Sequence, residues 1–405
     1  MAGGGHGSIT QTAYLARMNF PSKLPDVGTS IFSVMTQLAQ DCGAINLAQG
    51  FPDFDPPANL TEALVRHARA AGQQQYAPMP GLPRLRELIS QKTATLYQVP
   101  APDPATEITI TSGATEGLYA VLAATVRPGD EVLVLEPAYD LYGPAIRLQG
   151  GTPVYVPLRL PSFRPDWDQV AASLTPRTRL ILLNTPHNPS GAVLTTQDFD
   201  TLAGLLENTD TLVLSDEVYE HLVFDGQAHR SVLQHPALAA RAFVLSSFGK
   251  TYHATGWKVG YCIAPPLLTA EVRRVHQFLT FSVSTPTQHA LADVLADADH
   301  YRELPAFYQQ KRDLFVELLH GTGFELLPAA GAYFLLARYA ALAPHEPDTA
   351  FAQRLTREAG VAVVPVSAFY HDGQDHGLVR FCFAKRPETL RAAAVRLHTF
   401  SEKYI

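Results

Sequence analysis

A chain of 405 residues exceeds the size at which one hydrophobic core usually stops growing, so a large and a small domain are expected. Hydrophobic residues make up 46% and charged residues 17%, the balance of an ordinary folded protein, which argues against long disorder. The 31 basic and 38 acidic residues leave a formal charge of −7 without a basic block, which argues against a nucleic-acid partner.

The opening Gly3-Gly4-Gly5-His6-Gly7 has no strand before it, so it reads as a flexible tail and not as a dinucleotide loop. The N-terminus lacks a signal-type apolar core, and no run of about 18 apolar residues follows anywhere. Secretion and membrane spanning are therefore disfavoured. The segment Ile45-Asn-Leu-Ala-Gln-Gly50-Phe-Pro-Asp-Phe-Asp-Pro-Pro57 is an ordered loop by its Gly and Pro spacing, and the large domain begins just after it. Short apolar runs then alternate with helical stretches: Glu107–Thr111, Glu131–Leu135, Pro153–Val156, Leu180–Leu183, Thr211–Leu214 and Ala242–Leu245. That alternation predicts an α/β domain on a mostly parallel sheet. From about Tyr301 a long helix precedes Tyr333–Leu336, Val361–Val364 and Leu378–Phe383, the pattern of a smaller α+β domain. Cys42, Cys262 and Cys382 are too scattered for a disulfide framework or a zinc site and fit a reducing cytoplasm.

Ligands of open α/β sheets bind beyond the carboxyl ends of the strands, so the residues after each run carry the most information. Ser112-Gly-Ala-Thr-Glu116 opens a helix with small residues, where backbone N–H groups and the helix dipole attract a phosphate. The next ends supply Glu136-Pro-Ala-Tyr-Asp140, Asn184–Gly191 with Asn188, Ser215-Asp-Glu-Val-Tyr219 and Ser246-Ser-Phe-Gly-Lys250. Together they offer a phosphate cradle, an aromatic face, an amide, a carboxylate, a phenol and a lysine. That set meets the needs of pyridoxal 5′-phosphate (PLP): Asp216 for the ring nitrogen, Asn188 and Tyr219 for the ring hydroxyl, and an amine from Lys250.

Taken singly, each residue has an ordinary reading. Lys250 would be a solvated lysine, and Asp216, Ser112 and Thr115 helix caps. Tyr139 and Tyr219 would be packing aromatics and Asn188-Pro189 a turn. Their placement on successive strand ends is what those readings leave unexplained. A P-loop reading of Gly249-Lys250-Thr251 fails because Val244 stands where a glycine is needed. Ser247-Phe-Gly-Lys250 also fits the S-x-x-K pattern of serine acyl-enzymes, but S-D-N and K-T-G partners are missing. That reading is the weaker alternative from a different class.

These residues carry a resemblance to class I/II aminotransferases of the fold-type-I PLP superfamily over nearly the whole chain. The likeness lies in Asn46–Phe54, Gln75–Gly81, Thr111–Gly117, Asn184–Gly191, Ser215–Glu220, Ser246–Tyr261 and Val379–Phe383. Within the class the motifs look most like the bacterial methionine aminotransferase group, itself similar to kynurenine aminotransferase/glutamine transaminase. The resemblance implies a seven-stranded sheet in a large PLP-binding domain over 58–299. A tail and arm over 1–57 contribute to the small domain, which is completed by 300–405.

The resemblance further implies Lys250 as the Schiff-base lysine, Asp216 on the pyridinium nitrogen, Asn188 and Tyr219 on the ring hydroxyl, and Tyr139 over the ring. Gly113, Ala114, Thr115, Ser247 and Lys258 would hold the phosphate. Many relatives have Arg where Lys258 stands, so a bidentate clamp becomes a point charge here. Arg380, helped by Asn188 and Gly50, would take the substrate carboxylate, and Tyr76 would reach a neighbour's phosphate across a homodimer. Ile31, Phe32, Tyr139, Phe281 and Phe369 would form an apolar side-chain pocket. The implied reaction moves the amino group of a neutral hydrophobic, aromatic or sulfur-containing L-amino acid, methionine-like first, to a 2-oxo acid by a ping-pong route. A cysteine-conjugate β-lyase on the same scaffold is the nearest alternative.

Overall fold

The computed structural model describes residues 21–404, so the glycine-rich Gly3–Gly7 segment lies outside the described residues. Strand β1 (Ile45–Asn46) is followed by β2 (Ile108–Thr111), β3 (Glu131–Glu136), β4 (Thr152–Pro157), β5 (Thr178–Asn184), β6 (Leu212–Asp216), β7 (Ala242–Ser247) and β8 (Gly260–Ile263). Strands β9 (Glu325–Leu326), β10 (Phe334–Arg338), β11 (Val361–Ala362), β12 (Val364–Pro365) and β13 (Leu378–Cys382) complete the set among the described residues.

Strands β2 to β8 form one seven-stranded sheet in the order β2-β8-β7-β6-β5-β3-β4. Only β8 runs against its neighbours, pairing antiparallel with both β2 and β7. The remaining pairings are parallel. Such a sheet needs cover on both faces, and the side chains divide accordingly. Leu133, Ile181, Val213 and Val244 belong to one core, whereas Val132, Val134, Leu180, Leu182, Leu214 and Phe243 belong to the other. This is the two-residue alternation of a strand, with apolar residues on both faces.

The six apolar runs read from the sequence coincide with β2 to β7. Strand β8 was not among them, because Gly-Tyr-Cys-Ile lacks the β-branched run that marks the others. Val361–Val364 is corrected from one strand to two. Val361 and Ala362 pair with β1 in a two-stranded sheet, while Val364 and Pro365 pair with β13 in the four-stranded sheet β12-β13-β10-β9. Four valine and alanine residues buried on every side show no face preference from which such a crossing could be read.

A buried polar cluster lies directly behind the carboxyl ends of β6 and β7. The Glu220 carboxylate accepts hydrogen bonds from Lys92 Nζ at 2.7 Å and Tyr261 Oη at 2.8 Å. The hydroxyls of Tyr97 and Ser246 also donate to it. Both Lys92 and Glu220 are almost wholly removed from solvent, so neither charge is tolerable without the other. Glu220 adjoins Tyr219, and Ser246 adjoins Ser247, so this cluster ties together the two strand ends that carry the site. No helix among the described residues is long and apolar enough to cross a membrane.

Candidate active site

The carboxyl ends of β2, β3, β5, β6 and β7 converge on a cavity of about 290 Å³. Into its wall come Gly113, Ala114 and Thr115 from the helix after β2, and Tyr139 from the loop after β3. Asn188 comes from the loop after β5, Asp216 and Tyr219 from β6 and its continuation, and Ser247, Lys250 and Lys258 from β7 and the segment after it. Gly50 from the loop after β1 and Arg380 on β13 close it.

One end of the cavity is built to receive an anion. The helix Gly113–Thr125 starts there, and the N–H groups of its first turn have no partner within the helix. Gly113 sits at φ +73, and a Cβ placed on it would stand 3.3 Å from Lys258 Cε. Gly260 behind it is equally constrained, since a Cβ there would lie 2.9 Å from the Ala114 nitrogen. Lys258, itself in a left-handed conformation at φ 54, donates from Nζ to Thr115 Oγ1 at 3.3 Å. The Ser247 hydroxyl makes no capping bond to the short helix it precedes. Backbone N–H groups, two hydroxyls and an ammonium therefore surround this end with no carboxylate among them.

The floor holds Asp216. Its Oδ2 accepts from Tyr142 Oη at 2.7 Å and its backbone carbonyl from Asn184 Nδ2 at 2.9 Å. Burial pushes this carboxyl up to about 6, against the pull of the Tyr142 hydrogen bond and of Lys250. Asn184 Oδ1 accepts the Asn188 N–H at 2.8 Å, which fixes the loop that carries Asn188. Tyr139 meets Tyr142 edge to face with centroids 5.7 Å apart, and burial pushes its phenol up to about 12.

Lys250 Nζ lies 2.9 Å from Tyr333 Oη and 3.2 Å from the Gly50 carbonyl. Burial, more than the nearby Arg380, brings its amine down to about 8. Arg380 is fully buried. Its Nη1 donates to Asn188 Oδ1 at 2.7 Å and its Nη2 to the Ala48 carbonyl at 2.8 Å. Its Nε has no partner, and no carboxylate among the described residues pairs with it. Phe334 stacks 4.0 Å from the guanidinium carbon, with Phe32 and Phe369 each at 5.2 Å.

Four residues named from the sequence do not line this cavity, one of them Phe369, which instead stands against the Arg380 guanidinium. Ile31 opens the helix Ile31–Asp41 and packs half-buried against the core. Tyr76 is 83% exposed and meets Phe281 edge to face at 5.3 Å, so both lie on the outer surface of the chain. Conversely, Tyr142, Asn184, Tyr333 and Phe334 help to build the site without having been singled out. Asn184 stood within a quoted motif, but the three aromatics look like ordinary core residues in sequence.

The donor set fits PLP. An anion cradle, a buried carboxyl whose raised pKa calls for a cationic partner, and an amine lie in one cavity, while the unpaired guanidinium fits a second, carboxylate-bearing molecule. No group of side chains among the described residues is arranged to hold a metal ion.

A mostly parallel sheet bearing these groups on successive strand ends is the layout of a fold-type-I PLP enzyme, and the chain belongs to the class I and II aminotransferases, whose family model matches residues 43–397. It is 54% identical over 377 residues to the methionine aminotransferase of Escherichia coli, covering 93% of this chain and 97% of that one. An Escherichia coli crystal structure assigned a methionine aminotransferase function superimposes with a TM-score of 0.92 at 53% identity, over 94% of this chain and 100% of that one. The N-succinyldiaminopimelate aminotransferase structure from Mycobacterium tuberculosis gives 0.90 at 38% identity, over 94% and 100%. Kynurenine–oxoglutarate transaminase 3 of Homo sapiens is 35% identical, over 92% of this chain and 88% of that one. Family membership sets aside the P-loop and serine acyl-enzyme readings of Lys250.

Proposed function

We propose that this aminotransferase takes the amino group from a neutral L-amino acid with a hydrophobic, aromatic or sulfur-containing side chain, methionine-like first, and passes it to a 2-oxo acid. The observation that carries the proposal is a single cavity holding the Lys250 amine, the Asp216 carboxyl and the unpaired Arg380 guanidinium. The names of its relatives support a methionine-like donor. The apolar flank of Phe32 and Phe334 beside Arg380 supports it independently.

When bound, PLP supplies an aldehyde for the amino group and an electron-withdrawing ring. Gly113, Ala114, Thr115, Ser247 and Lys258 would hold its phosphate, Asp216 its ring nitrogen, Asn188 and Tyr219 its ring hydroxyl, and Tyr139 its ring face. Arg380, Asn188 and Gly50 position the amino acid by its carboxylate, a planar fork being suited to two oxygens. Lys250 Nζ moves the α-proton, and an amine brought down to about 8 by burial does this near neutral pH. Phe32 and Phe334 exclude water from the reacting face. Two substrates then occupy the same place in turn, giving ping-pong kinetics.

Tyr76 and Phe281, exposed on one chain, belong in this reading to the site of a second copy, so the working enzyme is a homodimer. The divisions at 57/58 and 299/300 belong to the same reading.

The test is a panel of amino donors and 2-oxo acids on PLP-loaded protein, with spectra recorded through each half reaction. Methionine and aromatic donors should convert the bound cofactor stoichiometrically without an acceptor. Lys250→Ala should lose both the absorbance of the lysine-bound cofactor and turnover, and near wild-type turnover in that variant would sink the proposal. Release of pyruvate and ammonia from cysteine conjugates without any acceptor would favour the β-lyase.

A further inference from the structure

Tyr333 takes no part in the roles above, is fully buried, and stands outside the cavity lining, yet its hydroxyl lies 2.9 Å from Lys250 Nζ. The same hydroxyl donates its one proton to the Gly50 carbonyl, which also accepts from Lys250 at 3.2 Å. Tyrosine oxygen, glycine oxygen and lysine nitrogen thus close a triangle. With its proton committed to Gly50, Tyr333 Oη can only accept from Lys250.

A neutral amine has two hydrogens and one lone pair in tetrahedral directions. The two acceptors engage both hydrogens, so the direction of the lone pair is fixed. We propose that Tyr333 is a positioning residue that, with the Gly50 carbonyl, aims the Lys250 amine for proton transfer.

The surroundings hold Tyr333 to this task. Ala332 before it adopts φ +56, a left-handed conformation unfavourable for a residue with a Cβ, and its N–H is fixed to the Leu222 carbonyl at 2.9 Å. The Tyr333 carbonyl accepts the Phe383 N–H at 3.1 Å. A Cβ on Gly50 would stand 3.0 Å from Phe334 Cζ and 3.7 Å from Tyr333 Cε2, so the close approach of that carbonyl requires glycine. Tyr333 itself is no base, because burial, with Tyr219, Cys382 and Tyr308 beside it, pushes its phenol well above the usual range. The charged and titratable groups that face Lys250 are Asp216 on β6, Tyr219 just after it, Arg380 and Cys382 on β13, and Lys258; all keep their side chains in Tyr333→Phe, and among them Tyr219, which meets Tyr333 edge to face at 5.1 Å, loses a contact to its hydroxyl.

This inference rests on Lys250 being the proton-moving amine, and its test separates the two ideas. In Tyr333→Phe only the hydroxyl is lost. An ammonium gains more from an acceptor than a neutral amine does, so the pH midpoint for acylation of Lys250 in cofactor-free protein, read by mass spectrometry, should fall by about half to one unit. In PLP-loaded enzyme kcat should drop about ten- to a hundredfold, with KM within about threefold, and the isotope effect from an α-deuterated donor should grow. Tyr308→Phe removes a neighbouring hydroxyl bonded to His253 Nδ1 at 3.0 Å and should leave the midpoint and kcat unchanged.

An unmoved midpoint, a kcat loss matched by KM, or the same shift in Tyr308→Phe overturns the proposal for Tyr333. Turnover retained in Lys250→Ala overturns the reading beneath it, while the acylation midpoint still reports the Tyr333 contact.

Discussion

Replacing Arg380 by Lys keeps a positive charge in the cavity but removes the fork. Nη1 and Nη2 are already engaged with Asn188 Oδ1 and the Ala48 carbonyl, so the guanidinium is held in one plane before any ligand arrives. An ammonium on a flexible stem cannot keep both anchors and still offer two parallel donors to a carboxylate. Losing one charge-assisted hydrogen bond costs about 1.5–3 kcal/mol, or about 10- to 150-fold in kcat/KM. Because the carboxylate is bound in ground and transition states alike, most of this should appear in KM. The assay compares methionine with the matching amine that lacks the carboxylate, on wild type and Arg380→Lys. The acid should lose the full factor and the amine almost nothing. Equal losses on both would show that Arg380 acts on the fold or the cofactor and not on the substrate carboxylate.

Asp216 makes stability depend on pH in the cofactor-free protein. Its carboxyl is raised from 3.8 to about 6, so the stability it contributes is complete below about 3.8 and is lost as pH rises through 6. The loss at neutral pH amounts to about 3 kcal/mol. Urea midpoints between pH 4 and 7 should therefore fall more in wild type than in Asp216→Asn, and parallel curves would contradict the shift. Lys258→Gln should weaken binding of PLP and of inorganic phosphate about three- to tenfold while leaving unphosphorylated pyridoxal unaffected, as equilibrium dialysis would show. Glu220→Gln leaves Lys92 charged and unpaired, so the melting temperature should drop with a loss of about 3–5 kcal/mol, and a variant as stable as wild type would refute the assignment of that pair.

The central sheet was legible because its strands are short β-branched runs buried on both faces, a pattern that few helices share. Strand β8 escaped because Gly260 is required for close approach to Ala114 and leaves the strand without a hydrophobic signal at that point. The groups at the cavity were readable where a polar residue interrupts an apolar run at a strand end, as Asp216 does after Leu212–Ser215. Tyr142, Tyr333 and Phe334 were not, because an aromatic in a buried segment has the same surroundings in sequence whether its edge meets a ligand or a neighbour. Tyr76 and Phe281 show the converse limit. Their likeness to the family marks them out, but in one chain they meet edge to face on the surface, away from the cavity.

The Glu220 cluster behind β6 and β7 bears on how this scaffold could acquire new donors. Four donors from three parts of the chain, the helix Pro83–Tyr97, β7 and β8, converge on one carboxylate, so the strand ends under Tyr219 and Ser247 form a mould in which no single member can change without stranding the rest. The rim has no such lock. Phe32 is held by the Gln49 amide, which reaches its carbonyl and the Thr36 hydroxyl, and by edge-to-face packing on Phe369 at 5.8 Å, contacts that a substitution can give up without stranding a buried charge. Variation of donor range, in nature or in a library, should therefore accumulate at the rim and leave the floor untouched.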